Sequence, residues 1–302
     1  MEKYDCLIIG AGPAGISAAI TLSRTKINAA VLEKSAPGGK IISIDQINNY
    51  PGIRSISGVE LATEMNDQLA DTNIPYHSDA VTKIIQDNEG FMVEASSYDK
   101  TEIFKTKTIL IATGIAEKKL GIPNEDKFYE RGISYCILCD GPLYKDQKVA
   151  LIAKDLSVKT ELQVLTDIAS EVHLMDISEK QVLKNLTSIS PKIIMHNGVP
   201  RSFEGKTHLE KIILEEGEIL VDGAFISIGK SPATNMLYDL NKKYDNKLLD
   251  DANYIKTTDM VLTVVPNLFA SGDVVKDAIK QISVAVGMGT KAAVEIIKAV
   301  KK

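Results

Sequence analysis

Tryptophan is absent from this chain, and cysteine, histidine and arginine are scarce: three, four and four residues among 302. Three cysteines cannot staple a chain of this length, so a disulfide scaffold is excluded and a hydrophobic core must hold the fold. A formal net charge of −5 leaves no global nucleic-acid footprint. No apolar run approaches the roughly 20 residues of a membrane span. The opening "MEKYDCLIIG" enters a strand at once, so no signal peptide and a cytoplasmic location are expected. Like-charge blocks, short repeats and low-complexity tracts are missing too. What is present, 44% hydrophobic and 25% charged residues, suits a soluble globular protein of about two domains.

Along the chain, apolar strands alternate with helical stretches. "DCLIIG" leads into a helix beginning near Pro13, and "NAAVLEK" follows as a second strand. An amphipathic helix runs near Gly58 to Asp71, followed by "AVTKIIQ", "FMVEAS" and the apolar "TILIATG". A second strand–helix–strand run starts at "KVALIA" and continues through "SEVHLMD"; "NLFASGDV" and a helix from about Gln281 close the chain. That alternation predicts an α/β class built on parallel sheet.

The first turn reads Gly10-Ala11-Gly12-Pro13-Ala14-Gly15, after a strand and opening a helix, the context that a dinucleotide fingerprint requires. Gly10 permits the tight turn, Gly12 lets backbone approach a pyrophosphate, and Gly15 allows close helix–strand packing. The pyrophosphate would meet the free N–H groups of the helix N-terminus. Glu33 ends the second strand, placed to hydrogen-bond a ribose diol. Further on, Gly272-Asp273 stands at a strand end before a long helix; the acid reads either as a helix cap or as part of a cofactor site.

Cys136-Ile137-Leu138-Cys139-Asp140 places two thiols at a spacing that can close a small disulfide and be reduced again. Zinc is the rival reading, but four ligands are needed. The remaining cysteine, Cys6, lies in the first core strand, and His77, His173, His196 and His208 show no paired ligand spacing. No metal is expected. Asp140 reads as a proton shuttle for a leaving thiolate or as a cap.

"GAGPAG", "PGGK", "NNYPG", "LIATG", "RGISYCILCDG", "VDGAFISIGKSPAT" and "LFASGDV…KQISVAVG" together resemble the low-molecular-weight thioredoxin reductases over nearly the whole chain. The resemblance implies two Rossmann-like dinucleotide-binding domains of three-layer ββα build, the second inserted into the first. Residues 1–115 and 246–302 would form the FAD-binding domain, and 116–245 the inserted domain carrying the dithiol. It implies a homodimer with thioredoxin as substrate. FAD would be held by Gly10, Gly12, Pro13, Ala14, Gly15, Glu33, Lys34, Gly38, Gly39, Lys40, Asn49, Val81, Ala112, Thr113, Gly114, Gly272, Asp273, Gln281 and Ile282. Lys40 departs from the family's usual glutamine. In the family pattern Cys139 faces the flavin, Cys136 exchanges with the substrate disulfide, and Asp140 is the general acid.

One further lack stands out. The inserted domain's own fingerprint should fall at Ala153-Lys154-Asp155-Leu156-Ser157-Val158, which contains no glycine. Side chains there obstruct backbone approach to a pyrophosphate, and Asp155 adds repulsion that Lys154 partly offsets. The arginines that bind a 2′-phosphate in the family are also missing: the corresponding "HLMDISEKQVL" offers Asp176 and Glu179 instead. The pattern resembles the ferredoxin-dependent flavin thioredoxin reductases, which lack NADPH motifs, and implies ferredoxin or flavodoxin as donor. A basic docking face is then expected, with Lys118, Lys119, Lys145 and Lys148 as candidates. Three alternatives stay open: an NADPH or NADH enzyme with an atypical site, a diflavin oxidoreductase with a second flavin in the inserted domain, and a non-enzymatic FAD-binding redox sensor.

Overall fold

A computed structural model describes residues 2–97 and 100–301, and of Cys139 only the backbone. The chain divides into two compact units, Met1–Ala116 with Ser231–Lys302, and Glu117–Lys230. The first unit is discontinuous, and the chain returns to it at Ser231. Residues 231–245, expected in the inserted domain, belong to the first unit. Their side chains explain why: Tyr244 Oη donates to Gln86 Oε1 at 2.7 Å, Lys243 Nζ to Gln86 O at 3.0 Å, and Asp239 pairs with Lys83 at 3.6 Å.

In the first unit, Glu2–Ile9 is the central strand. It runs parallel to Ala29–Leu32 on one side and to Lys100–Ile111 on the other, with Cys6 opposite both Ala29 and Thr108. Cys6 to Ile9 are all buried, as a strand covered on both faces demands. Tyr76–His77 extends the sheet at one edge, and Leu268–Ala270 adds beside Lys100–Ile111. The twelve-residue Lys100–Ile111 strand joins the parallel strands of this seven-stranded sheet to its antiparallel ones. Its first part pairs antiparallel with Phe91–Ser97, which pairs with Ala80–Gln86. The helix Gly58–Ala70 starts with a capping box. Ser57 Oγ accepts the Glu60 N–H at 3.1 Å while Glu60 accepts the Ser57 N–H at 2.9 Å.

The second unit repeats the plan. Its parallel sheet runs in the order Ile193–Asn197, Glu171–Asp176, Lys148–Ala153, Gly223–Ser227, Ile133–Ser134. Alternation along Lys148–Ala153 feeds two cores. Val149, Leu151 and Ala153 pack with Leu162 and Leu165 of the helix Lys159–Ile168. Ala150 and Ile152 pack with Phe203, Ile212 and Ile219 of a separate antiparallel ribbon. Helix, parallel sheet and antiparallel sheet are the three layers expected.

Candidate active site

The first glycine turn is shaped by what a side chain would strike. Gly10 has φ +107°, and a Cβ there would lie 2.4 Å from the Ala112 carbonyl oxygen. A Cβ on Gly15 would lie 1.9 Å from Gly10 O, so the helix Pro13–Ser23 sits against its own turn with no room for a methyl. Gly12, by contrast, has open space where its Cβ would point. It is the N-cap of the helix, makes no side-chain cap, and is followed by Pro13. The turn is therefore sealed on its inner side and bare on the side where an anion would approach.

The neighbouring predicted residues converge on this turn. Glu33 Oε2 accepts the Ala11 N–H at 2.8 Å and Oε1 the Ser35 N–H at 2.9 Å, leaving one lone pair on each oxygen for a diol. Lys34 is exposed just beyond it. Gly38 donates its N–H to Ala11 O at 2.7 Å, and a Cβ on Gly39 would come 3.3 Å from Gly12 Cα. Ala112 donates to Ile9 O at 2.8 Å, Thr113 Oγ1 to Ala233 O at 2.7 Å, and Gly114, at φ +65°, is open above its Cα. Gly272 packs on Ala14, where a Cβ would lie 3.0 Å from the alanine methyl. Burial pushes the Asp273 carboxyl up, opposed by the charges of Lys280 and Lys40. Asn49 Nδ2 donates to Gln281 Oε1 at 2.8 Å across 232 positions, just before the helix Ile282–Val300. Val81 lies in the strand Ala80–Gln86 beside a register irregularity. The open faces at Gly12 and Gly114, with a half-satisfied acid at Glu33, fit an extended dinucleotide such as FAD.

In the second unit, Cys136 is engaged in a disulfide and precedes the short helix Ile137–Asp140; the Cys139 side chain lies outside the described residues. Ser134 Oγ donates to Asp140 Oδ2 at 2.6 Å and accepts the Cys136 N–H at 3.0 Å. This buried hydroxyl, which the sequence reading did not single out, fixes the acid relative to the first cysteine. Buried Glu125 accepts the Leu120 and Gly121 N–H groups and the Tyr135 hydroxyl, which stiffens the approach to the dithiol. Cys6 is free and buried in the core; desolvation pushes its thiol up to about 12, which makes it inert.

At the head of the second unit's sheet, Asp155 stands at the place that Gly12 holds in the first and caps the 3-10 turn Leu156–Val158 leading into the helix Lys159–Ile168. Its carboxylate accepts the Ser157 N–H at 3.0 Å and the Ser157 hydroxyl, and those bonds hold it below the usual carboxylate range. Asp176, at the end of the next strand, is 1% exposed. It accepts the Ser178 N–H at 2.9 Å, the Ser178 hydroxyl at 2.6 Å and the Leu183 N–H at 2.7 Å. Glu161, in the helix Lys159–Ile168 between the two, takes the Ser227 hydroxyl at 2.7 Å. The Ser157 N–H and the Asp176 and Glu161 carboxylates are thus engaged by the protein's own groups.

The family model of the pyridine nucleotide-disulphide oxidoreductases matches residues 4–289. The chain belongs to that family, among its thioredoxin reductases. The thioredoxin reductase of Mycoplasma pneumoniae is 35% identical over 97% of this chain and 94% of its own length. The crystal structure of Lactococcus lactis thioredoxin reductase superposes with a TM-score of 0.68 at 32% identity, covering 99% of both chains. A ferredoxin-flavin thioredoxin reductase from Clostridium acetobutylicum superposes with a TM-score of 0.56 at 27% identity, over 99% of this chain and 98% of its own.

Membership makes this protein a thioredoxin reductase-type flavin disulfide oxidoreductase with FAD as its cofactor. The glycines and Glu33 at the first turn are the groups that fit the dinucleotide; in the second unit Ser134 links the Asp140 carboxylate to the disulfide-bonded Cys136. Among the described residues no helix is long and apolar enough to cross a membrane.

Proposed function

We propose that this chain reduces thioredoxin with electrons from reduced ferredoxin or flavodoxin rather than from a nicotinamide nucleotide. The observation that carries the reading is the second turn. Asp155 places a carboxylate on the Ser157 N–H where a pyrophosphate would approach, and Asp176 spends its carboxylate on Ser178 and Leu183. Bound to the first unit through the glycine turn and Glu33, FAD would supply a carrier that fills one electron at a time and empties in pairs.

The chain's own residues then do the sulfur chemistry. In the reduced dithiol, the Cys136 thiolate attacks one sulfur of the thioredoxin disulfide; a mixed disulfide forms and thioredoxin's other sulfur leaves as thiolate. Cys139 attacks the Cys136 sulfur, releases dithiol thioredoxin and restores the Cys136–Cys139 disulfide. Asp140, held by Ser134, gives a proton to the leaving thiolate. An acidic donor protein would meet exposed lysines: Lys119 and Lys148 are paired with Asp126 and Glu171, whereas among the described residues Lys118 and Lys145 make no ion pair. Two copies of the chain would form the working dimer.

The family's pyridine-nucleotide name favours a second reading, an NADPH or NADH enzyme with an atypical site. Anaerobic addition of each nucleotide and of reduced ferredoxin to the oxidised protein separates the two. Bleaching of the flavin by ferredoxin alone supports the proposal; rapid stoichiometric bleaching by NADPH defeats it.

A further inference from the structure

His77 ends the strand Tyr76–His77, Asp79 lies in the link to Ala80–Gln86, and Glu102 stands in Lys100–Ile111. One ligand atom from each lies within 4.8 Å of the others. Asp79 is 9% exposed, and among the described residues no donor or cation pairs with its carboxylate. With no such partner, its oxygens keep their lone pairs free for a cation. The imidazole beside it is held in place: Tyr4 Oη lies 3.1 Å from His77 Nε2, Glu2 3.7 Å from it, and the Phe104 ring meets its edge at 5.0 Å. Three carboxylates thus surround one histidine, and no lysine or arginine ion-pairs with Asp79, Glu102 or Glu2 among the described residues.

We propose that His77, Asp79 and Glu102 bind a divalent transition-metal cation. One imidazole and two carboxylates form a nitrogen–oxygen set of borderline hardness, suited to zinc or manganese rather than to calcium or magnesium. Ligand bonds of about 2.0–2.2 Å require the three atoms to close together by roughly 1 Å, which the exposed Glu102 side chain can supply by rotation. The site has a consequence for the cofactor. His77 O accepts the Glu33 N–H at 3.1 Å, and Asp79 precedes Val81 by two residues. An ion here ties together the strand ends that carry two of the residues assigned to FAD.

The test is calorimetric titration of the oxidised, EDTA-treated holoprotein with ZnCl2, MnCl2 and MgCl2. The oxidised form keeps the dithiol from competing. We expect one equivalent of zinc or manganese to bind per chain at micromolar concentration, with magnesium weaker. Asp79→Asn and Glu102→Gln should each weaken binding at least about tenfold. Glu102 is exposed, so its variant folds even if the Asp79 variant does not, and thermal unfolding checks both. A metal-dependent rise in the unfolding temperature should vanish in the same variants. No saturable binding at millimolar metal, binding untouched by Glu102→Gln, or binding lost instead in His196→Gln would each overturn the assignment. The last of these would move the ion to the His173–His196 pair, whose ring nitrogens lie 3.0 Å apart.

Discussion

At Gly12 the first turn leaves empty space where a side chain would point; at Asp155 the second turn fills the matching place with a carboxylate bonded to Ser157. Both turns follow a buried parallel strand and lead into a helix. In the first, the next strand ends in Glu33, whose oxygens each hold one backbone N–H and keep a lone pair. In the second, the next strand ends in Asp176, buried and bonded to three donors of its own loop. A helix N-terminus carries free N–H groups whatever its sequence. Whether a nucleotide can reach them is decided by one or two side chains. The second unit keeps sheet, helix and core while its turn carries a carboxylate that engages the Ser157 N–H where the first turn carries a bare glycine.

The largest effect should come from closing the first turn. Gly15→Ala drives a methyl into the Gly10 carbonyl 1.9 Å away, a backbone atom that cannot swing aside. A cost at or above about 3 kcal/mol is expected, with loss of FAD. Flavin absorbance after purification and the unfolding temperature read it out. Val158, at the matching place in the second turn, already carries a side chain and is buried, so Val158→Ala should leave FAD content unchanged.

Cys136→Ser comes next. Thioredoxin reduction should be abolished while FAD stays bound, because the cysteine lies in the other unit from the glycine turn. Retained turnover would move the exchanging thiol elsewhere.

Opening the second turn sharpens the comparison. In Ala153→Gly/Asp155→Gly the Ser157 N–H loses its internal acceptor, and phosphate affinity should rise by a measurable factor in titration with inorganic phosphate. NADPH should still fail to bleach the flavin until Asp176 is also released. Efficient NADPH oxidation by this double variant would show that Asp176 blocks nothing.

The smallest effect expected is on Ser134→Ala. Losing one charge-assisted bond to Asp140 should cost about 1.5–3 kcal/mol of positioning. That reads as a tenfold to hundredfold fall in turnover, with an altered pH profile and normal FAD content. An unchanged pH profile would make Ser134 merely structural.

Much of this was legible in the chain. The buried "CLII" run, "GAGPAG" and the spacing to Glu33 imply a central strand, a turn and an acid, because those requirements are local. The missing glycines at 153–158 were equally readable. How the second site is filled was not: the bonds from Asp176 to Ser178 and Leu183 depend on how the loop after the strand curls. Ser134 precedes the cysteine motif and looks like any buried serine until the helix Ile137–Asp140 brings Asp140 back to it. The return crossing at 230/231 escaped because Tyr244 and Lys243 are anchored on Gln86, far away in sequence. Asn49 with Gln281, and His77 with Glu102, are likewise long-range meetings that no spacing announces.

The most direct measurement is the absorbance of the oxidised holoprotein under anaerobic conditions, mixed in parallel with excess NADPH, excess NADH and photoreduced ferredoxin. Full bleaching by ferredoxin, with the flavin band unchanged in both nucleotides, is the predicted result. Stoichiometric bleaching by NADPH on mixing would contradict it and make the second unit a working nicotinamide site.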